Sequence, residues 1–120
     1  MTNTYKNIVR LKVECKILIL TPEYFLATKF EALFSERHGS DYRWNSDFED
    51  IIYVFDNRQN ILKELTTTHS GVRGYLKLSV KKLLKRPFID EEISTNLEYS
   101  SQDFRKNRII NIWKALTDEL

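Results

Sequence analysis

The N-terminal part of the chain alternates between apolar and charged positions. From Val9 to Ile19 every second residue is apolar, and four of the five positions between them are charged. A period of two residues is that of a β-strand with one buried face. Because no Gly, Asn or Asp interrupts the alternation, we predict one long or bent strand over residues 8–20.

Beyond residue 20 the hydrophobic period becomes that of a helix. Thr21 followed by Pro22 is typical of a helix start, since Thr can cap and Pro suits the first helical position. We predict a first helix from Pro22 to Arg37, ended by the His-Gly-Ser of residues 38–40. Lys29 lies at the margin of its buried face, which consists of Leu26, Phe30, Leu33 and Phe34.

The remaining chain contains further helical patterns. Ser46 and Glu49 match a capping box, which predicts a second helix ending near Asn57. We predict a short helix over residues 60–65, a longer one over 70–85, a further short one over 90–97 and a last helix from residue 101. The predicted buried stripe of the last helix consists of Phe104, Ile109, Ile112, Trp113 and Leu116. The predicted fold class is therefore α+β: an N-terminal β-strand followed by a mostly helical body over residues 22–118.

Composition limits the classes of protein. With 120 residues, 42% of them hydrophobic, the chain is large enough for one compact domain over residues 1–120. Its 19 basic and 17 acidic residues give a net charge of +2, too balanced to indicate a general binder of nucleic acid or anionic membranes. One cysteine, Cys15, and two histidines make neither a disulfide framework nor a zinc site, which favours a reducing, cytoplasmic location. No segment has the pattern of a signal peptide or membrane span.

The acidic segment SDFED has two interpretations. Acids in the first turn of a helix are favoured by capping and by the helix dipole, so Asp47, Glu49 and Asp50 need no chemistry to explain them. Alternatively, Asp47 and Asp50 belong to a ligand-binding cleft together with Lys29. The second interpretation depends on a longer pattern in which they lie.

That pattern runs from "YFLATKFEA" through an arginine-and-glycine turn to "SDFEDI" and a hydrophobic helix ending in "DNR". It resembles the C-terminal half of bacterial nucleotidyltransferase-like proteins of the polymerase-β superfamily, of the abortive-infection nucleotidyltransferase type. The match covers about 35 residues. The matching positions are Lys29, Glu31, Ala32, Arg37, Gly39, Asp41, Ser46, Asp47, Glu49, Asp50, Asp56 and Arg58.

The resemblance implies a nucleotidyl transfer from an NTP under two-metal catalysis, with Lys29 contacting the triphosphate and Asp47 and Asp50 supporting the rim of the cleft. The family's glycine-serine turn and D-x-D metal pair would precede this region, yet Glu14 is the sole acid before Glu23. We therefore predict no catalytic residues and no metal ligands in this chain. Mg²⁺ and an NTP are expected only if another chain completes the site.

A second candidate site is a basic stripe with a spacing of four residues. It consists of Arg73, Lys77, Lys81 and Lys85. Such a stripe can follow a phosphate backbone, which would make nucleic acid a partner. It can equally be a solvated helix face, which we favour because Tyr75 is the one aromatic residue beside it.

Two functional hypotheses follow. The chain is either a truncated or degenerate nucleotidyltransferase-like domain, or a stand-alone interaction or regulatory module of the antitoxin kind. Both predict a homodimer or a partner polypeptide bound through the strand at residues 9–20, because an apolar strand edge recruits another strand.

Overall fold

A computed structural model describes residues 21–35 and 41–118, and these residues fold into helices. Within these described residues the α-helices are α1 (Pro22–Leu33), α2 (Ser46–Asn57), α3 (Ile61–Thr66), α4 (Ser70–Leu84), α5 (Ile89–Thr95) and α6 (Gln102–Asp118). Two 3₁₀-helices, Tyr42–Trp44 and Tyr99–Ser101, precede α2 and α6.

The predicted α+β fold class is wrong, because the described part of the chain contains no strand and is all-α. The prediction rested on a period of two residues and expected a second chain to supply the neighbouring strand. A strand also needs a neighbouring strand to receive its backbone hydrogen bonds, and nothing in residues 21–35 or 41–118 supplies one. The predicted strand over residues 8–20 lies outside the described residues.

Helix α1 begins as predicted but ends earlier. Pro22 is its first residue and Thr21 its N-cap, although the Thr21 side chain makes no capping hydrogen bond. The helix ends at Leu33 rather than Arg37, and the amide of Phe34 donates to the carbonyl of Phe30. The predicted stop at residues 38–40 lies outside the described residues.

Helix α2 is capped by Asn45, one residue before the predicted cap at Ser46. The side-chain oxygen of Asn45 accepts a hydrogen bond of 3.0 Å from the amide of Phe48. The segment just before α2 also contains structure, because Tyr42 is buried within a 3₁₀-helix. The sequence correctly predicted an N-cap at the start of α2 but placed it one residue too late, at Ser46 instead of Asn45.

The core lies between α1, α2, α4 and α6. Its largest fully buried side chains include Trp113, Phe25, Phe30, Phe48 and Phe55. The rings of Phe55 and Trp113 meet edge to face, with centroids 5.7 Å apart and planes at 87°. Burial of each such side chain contributes about 1.5–3 kcal/mol, so this aromatic contact joins α2 firmly to α6.

The prediction for α6 holds for part of its buried stripe. Ile109, Trp113 and Leu116 are buried, whereas Phe104 is 71% exposed. Five residues rotate a helix by about 140° beyond one full turn, which places Phe104 on a different side from Ile109. The prediction of a buried Phe104 is therefore wrong.

Candidate functional site

Lys29, Asp47 and Asp50, predicted as a relic cleft, lie together where α1 packs against α2. The Nζ atom of Lys29 is 2.7 Å from Oδ2 of Asp50 and 3.5 Å from Oδ1 of Asp47. Asp47 lies in the first turn of α2 and Asp50 follows three residues later, so their side chains share one face of that helix. The structure thus places one lysine against two carboxylates.

This cluster is only partly accessible to solvent. Asp50 is 8% exposed, and its second oxygen, Oδ1, is buried without a hydrogen-bond partner among the described residues. The Lys29 side chain is 21% exposed. Its ammonium group lies 5.6 Å from the centre of the Phe25 ring, which adds a cation–π contact.

Burial and charge act in opposite directions on the two groups. Burial raises the pKa of Asp50 above its usual range, although the hydrogen bond and charge of Lys29 act to lower it. Burial also disfavours the charged form of Lys29, but the hydrogen bond and attraction of Asp50 raise the pKa of Lys29 overall. Lys29 is therefore a protonated cation at neutral pH, with its charge directed inward at Asp50.

The arrangement differs from what a phosphate or metal site requires. A lysine that binds a triphosphate presents its ammonium group to the ligand as a point charge, whereas the charge of Lys29 is compensated by carboxylates of its own chain. Among residues 21–35 and 41–118, no group of three or more His, Cys, Asp or Glu side chains is placed to hold a metal ion.

The four residues of the predicted basic stripe lie along α4 and its C-cap but differ in accessibility. A guanidinium nitrogen of Arg73 donates to the carbonyl of Thr66 at 3.1 Å, and Lys77 is only 5% exposed. Lys81 is half-buried and Lys85 is exposed. The phosphate-binding stripe stays a prediction, with Lys81 and Lys85 as its accessible members.

Sequence reasoning missed that Tyr42 joins Arg86 and Glu92 in a buried cluster. Arg86 forms a bidentate ion pair with this carboxylate, with nitrogen–oxygen distances of 2.8 and 2.6 Å, and its guanidinium stacks 3.5 Å from the centre of the Tyr42 ring. The backbone amide of Tyr42 donates to Glu92 at 3.0 Å. Arg86 directly precedes Pro87, whereas Glu92 follows it at the fifth position, and no local period links either charge to Tyr42.

A second missed cluster joins the end of α2 to α6. The carboxylate of Asp56 is 7% exposed and accepts hydrogen bonds from Arg105 and Arg108. Arg108 also donates to the backbone carbonyl of Asp56. In the sequence, Asp56 was identified only as one of the positions that match the family resemblance. Its pairing with two arginines could not be predicted, because it depends on the packing of α2 on α6.

The surface carries a groove next to the Glu92 cluster, with both charged and apolar residues in its lining. This groove, of about 520 Å³, is lined by Asp41, Arg43, Arg86, Pro87, Phe88, Glu91 and Glu92. Most of its charges are paired within the chain: a bidentate contact with Arg43 lowers the pKa of Asp41 to about 2. Two aromatic side chains of this region are exposed, Trp44 at 79% and Phe88 at 65%.

Comparisons with known proteins give no family for this chain. The sequence matches no protein-family model, no curated protein and no solved structure. In the part of the chain that the structure describes, no helix has the length and apolar character needed to cross a bilayer.

Proposed function

We propose that this chain is a helical interaction module that binds another polypeptide and performs no catalysis by itself. The observation that carries the proposal is the contact of 2.7 Å between Lys29 Nζ and Asp50 Oδ2. In a nucleotide-binding cleft, the lysine would supply its charge to a phosphate. Here the same charge stabilises the packing of α1 on α2.

Exposed aromatic side chains support the proposal that this chain binds another polypeptide. Aromatic residues and arginine are enriched in the centres of protein interfaces. Trp44, Phe88, Tyr99 and Phe104 are each at least 65% exposed, although burial of a large ring is favourable. Such rings are available to a partner chain. The predicted contact through residues 9–20 lies outside the described residues and stays a prediction.

Thermal unfolding tests whether this chain binds a nucleotide by itself, as a nucleotidyltransferase that keeps Lys29 as a phosphate ligand would. A ligand present at 100 times its Kd stabilises the folded state by about 2.7 kcal/mol. If the chain is an interaction module, we expect neither ATP nor GTP, with or without Mg²⁺, to raise the Tm of the full chain.

The control is a second lysine substitution. Lys29→Met removes the ion-paired lysine, and Lys63→Met removes an exposed lysine of α3. A Mg²⁺-dependent rise in the Tm of the parent and of Lys63→Met, absent from a folded Lys29→Met, would overturn the proposal and establish Lys29 as a nucleotide ligand.

A further inference from the structure

One face of α6 carries polar side chains without partners in the described chain, beside an exposed ring. We define the α6 face as Asp103, Phe104, Asn107, Asn111 and Lys114, which recur at helical spacing on one side of the helix. All five are exposed. By contrast, the neighbouring Arg105 and Arg108 are bound to Asp56.

The α6 face borders an apolar groove. This groove, of about 390 Å³, lies between α3 and α6, and its apolar members are Leu62, Phe104 and Ile112. Leu62 and Ile112 are only partly buried against the core. An exposed Phe at the edge of such a groove is the arrangement expected of a contact surface rather than of solvated polar helix surface.

We propose that the α6 face binds the α6 face of a second copy of this chain, with the two helices antiparallel. This proposal rests on the proposed function and names the partner. A symmetric dimer needs a self-complementary patch, in which residue i meets residue j and residue j meets residue i. The order of residues along α6 meets this condition about a two-fold axis level with Ile109.

About this axis, each polar residue faces a matching group of the second copy. Asn107 lies opposite Asn111, and an amide both donates and accepts hydrogen bonds, so each pair is complementary. Lys114 lies opposite Phe104, one residue from Asp103, where its ammonium meets both a ring and a carboxylate. The two-fold axis generates each of these contacts twice.

The remaining charge near the axis does not oppose this pairing strongly. Arg108 is close to the axis, and two arginines would repel each other there. The Arg108 guanidinium, however, donates to both the backbone carbonyl and the carboxylate of Asp56. Asp56 therefore offsets part of this charge, although its carboxylate is shared with Arg105.

Light scattering coupled to size-exclusion chromatography tests the proposal on the full chain. At about 100 µM we expect a dimer. Asp103→Lys and Lys114→Asp should each raise the dimer Kd by at least about tenfold, because attraction becomes repulsion at two sites. The double variant Asp103→Lys/Lys114→Asp should restore the Kd to within about threefold of the parent, because the exchanged charges attract again.

A matched pair of aromatic substitutions provides the control. Phe104→Glu should give a monomer, whereas Phe88→Glu, which changes a ring of similar exposure next to α5, should leave the dimer intact. Helical circular dichroism and Tm check that each variant is folded. A monomeric parent at this concentration, a dimer unaffected by Phe104→Glu, or a double variant that stays as weak as the single variants would overturn the proposal. None of these outcomes bears on nucleotide binding, so the proposed function is tested separately.

Discussion

At the scale of single residues, the charges of Lys29, Asp47 and Asp50 were predicted to be neighbours, and the structure places them together. This expectation came from the family resemblance, which implies that Lys29 faces a cleft whose rim contains Asp47 and Asp50. It could not decide what the cluster does. Whether a lysine points at a ligand or at Asp50 depends on the packing of α1 on α2, which no local pattern encodes.

The burial of Asp50 predicts an unusual pH dependence. Because burial raises its pKa in the folded state, the folded chain binds more protons than the unfolded chain as pH rises from about 4. The contribution of Asp50 to the free energy of unfolding should therefore fall with rising pH in this range. Lys29 titrates far above this window, since its pKa is raised from 10.5.

Urea denaturation of the parent and of Asp50→Asn, from about pH 3 to about pH 7, measures this contribution, because other carboxyl groups cancel in the difference. We expect the free energy of unfolding of the parent, relative to that of Asp50→Asn, to decrease as pH rises. If the free energy of unfolding of the parent instead increased with pH relative to that of Asp50→Asn, the ion pair would lower the pKa of Asp50.

At the scale of the elements, sequence patterns predicted the helices better than their ends. Pro22 began α1 as predicted, and the hydrophobic spacing of α6 was correct from Ile109 to Leu116. The Ser46 cap was displaced by one position, because Asn45 and Ser46 are both good N-caps and the choice depends on the backbone before α2. Phe104 was assigned to the wrong face because an apolar residue near a helix start was assumed to be buried.

The position of the cap is testable by two adjacent substitutions. Asn45→Ala should lower the free energy of unfolding by about 1 kcal/mol, because the amide of Phe48 loses its acceptor. Ser46→Ala, the matched control, should change it by less than about 0.5 kcal/mol, since Ser46 is an exposed first-turn residue. Chemical denaturation that gave the larger loss for Ser46→Ala would place the cap where the sequence pattern predicted it.

At the scale of the whole molecule, the fold class was the main error of sequence reasoning. Local periodicity is a property of one segment, whereas a sheet is a property of several. Sequence reasoning missed the Arg105–Asp56 ion pair for the same reason, because the two residues are 49 positions apart and meet only when α6 packs on α2. Arg86 and Glu92 are only six positions apart, but their contact with Tyr42 depends on the packing of α5 against the 3₁₀-helix before α2.

The central claim is that the ion pair of Lys29 with Asp50 stabilises the folded chain. A double-mutant cycle with Lys29→Met, Asp50→Asn and the combined variant, measured by urea denaturation at pH 7, tests it most directly. We expect Lys29→Met to be the most destabilised variant, since it leaves Asp50 buried without its cation, and the coupling energy to be at least about 1 kcal/mol. A coupling energy within about 0.3 kcal/mol of zero, with Lys29→Met as stable as the parent, would contradict the claim.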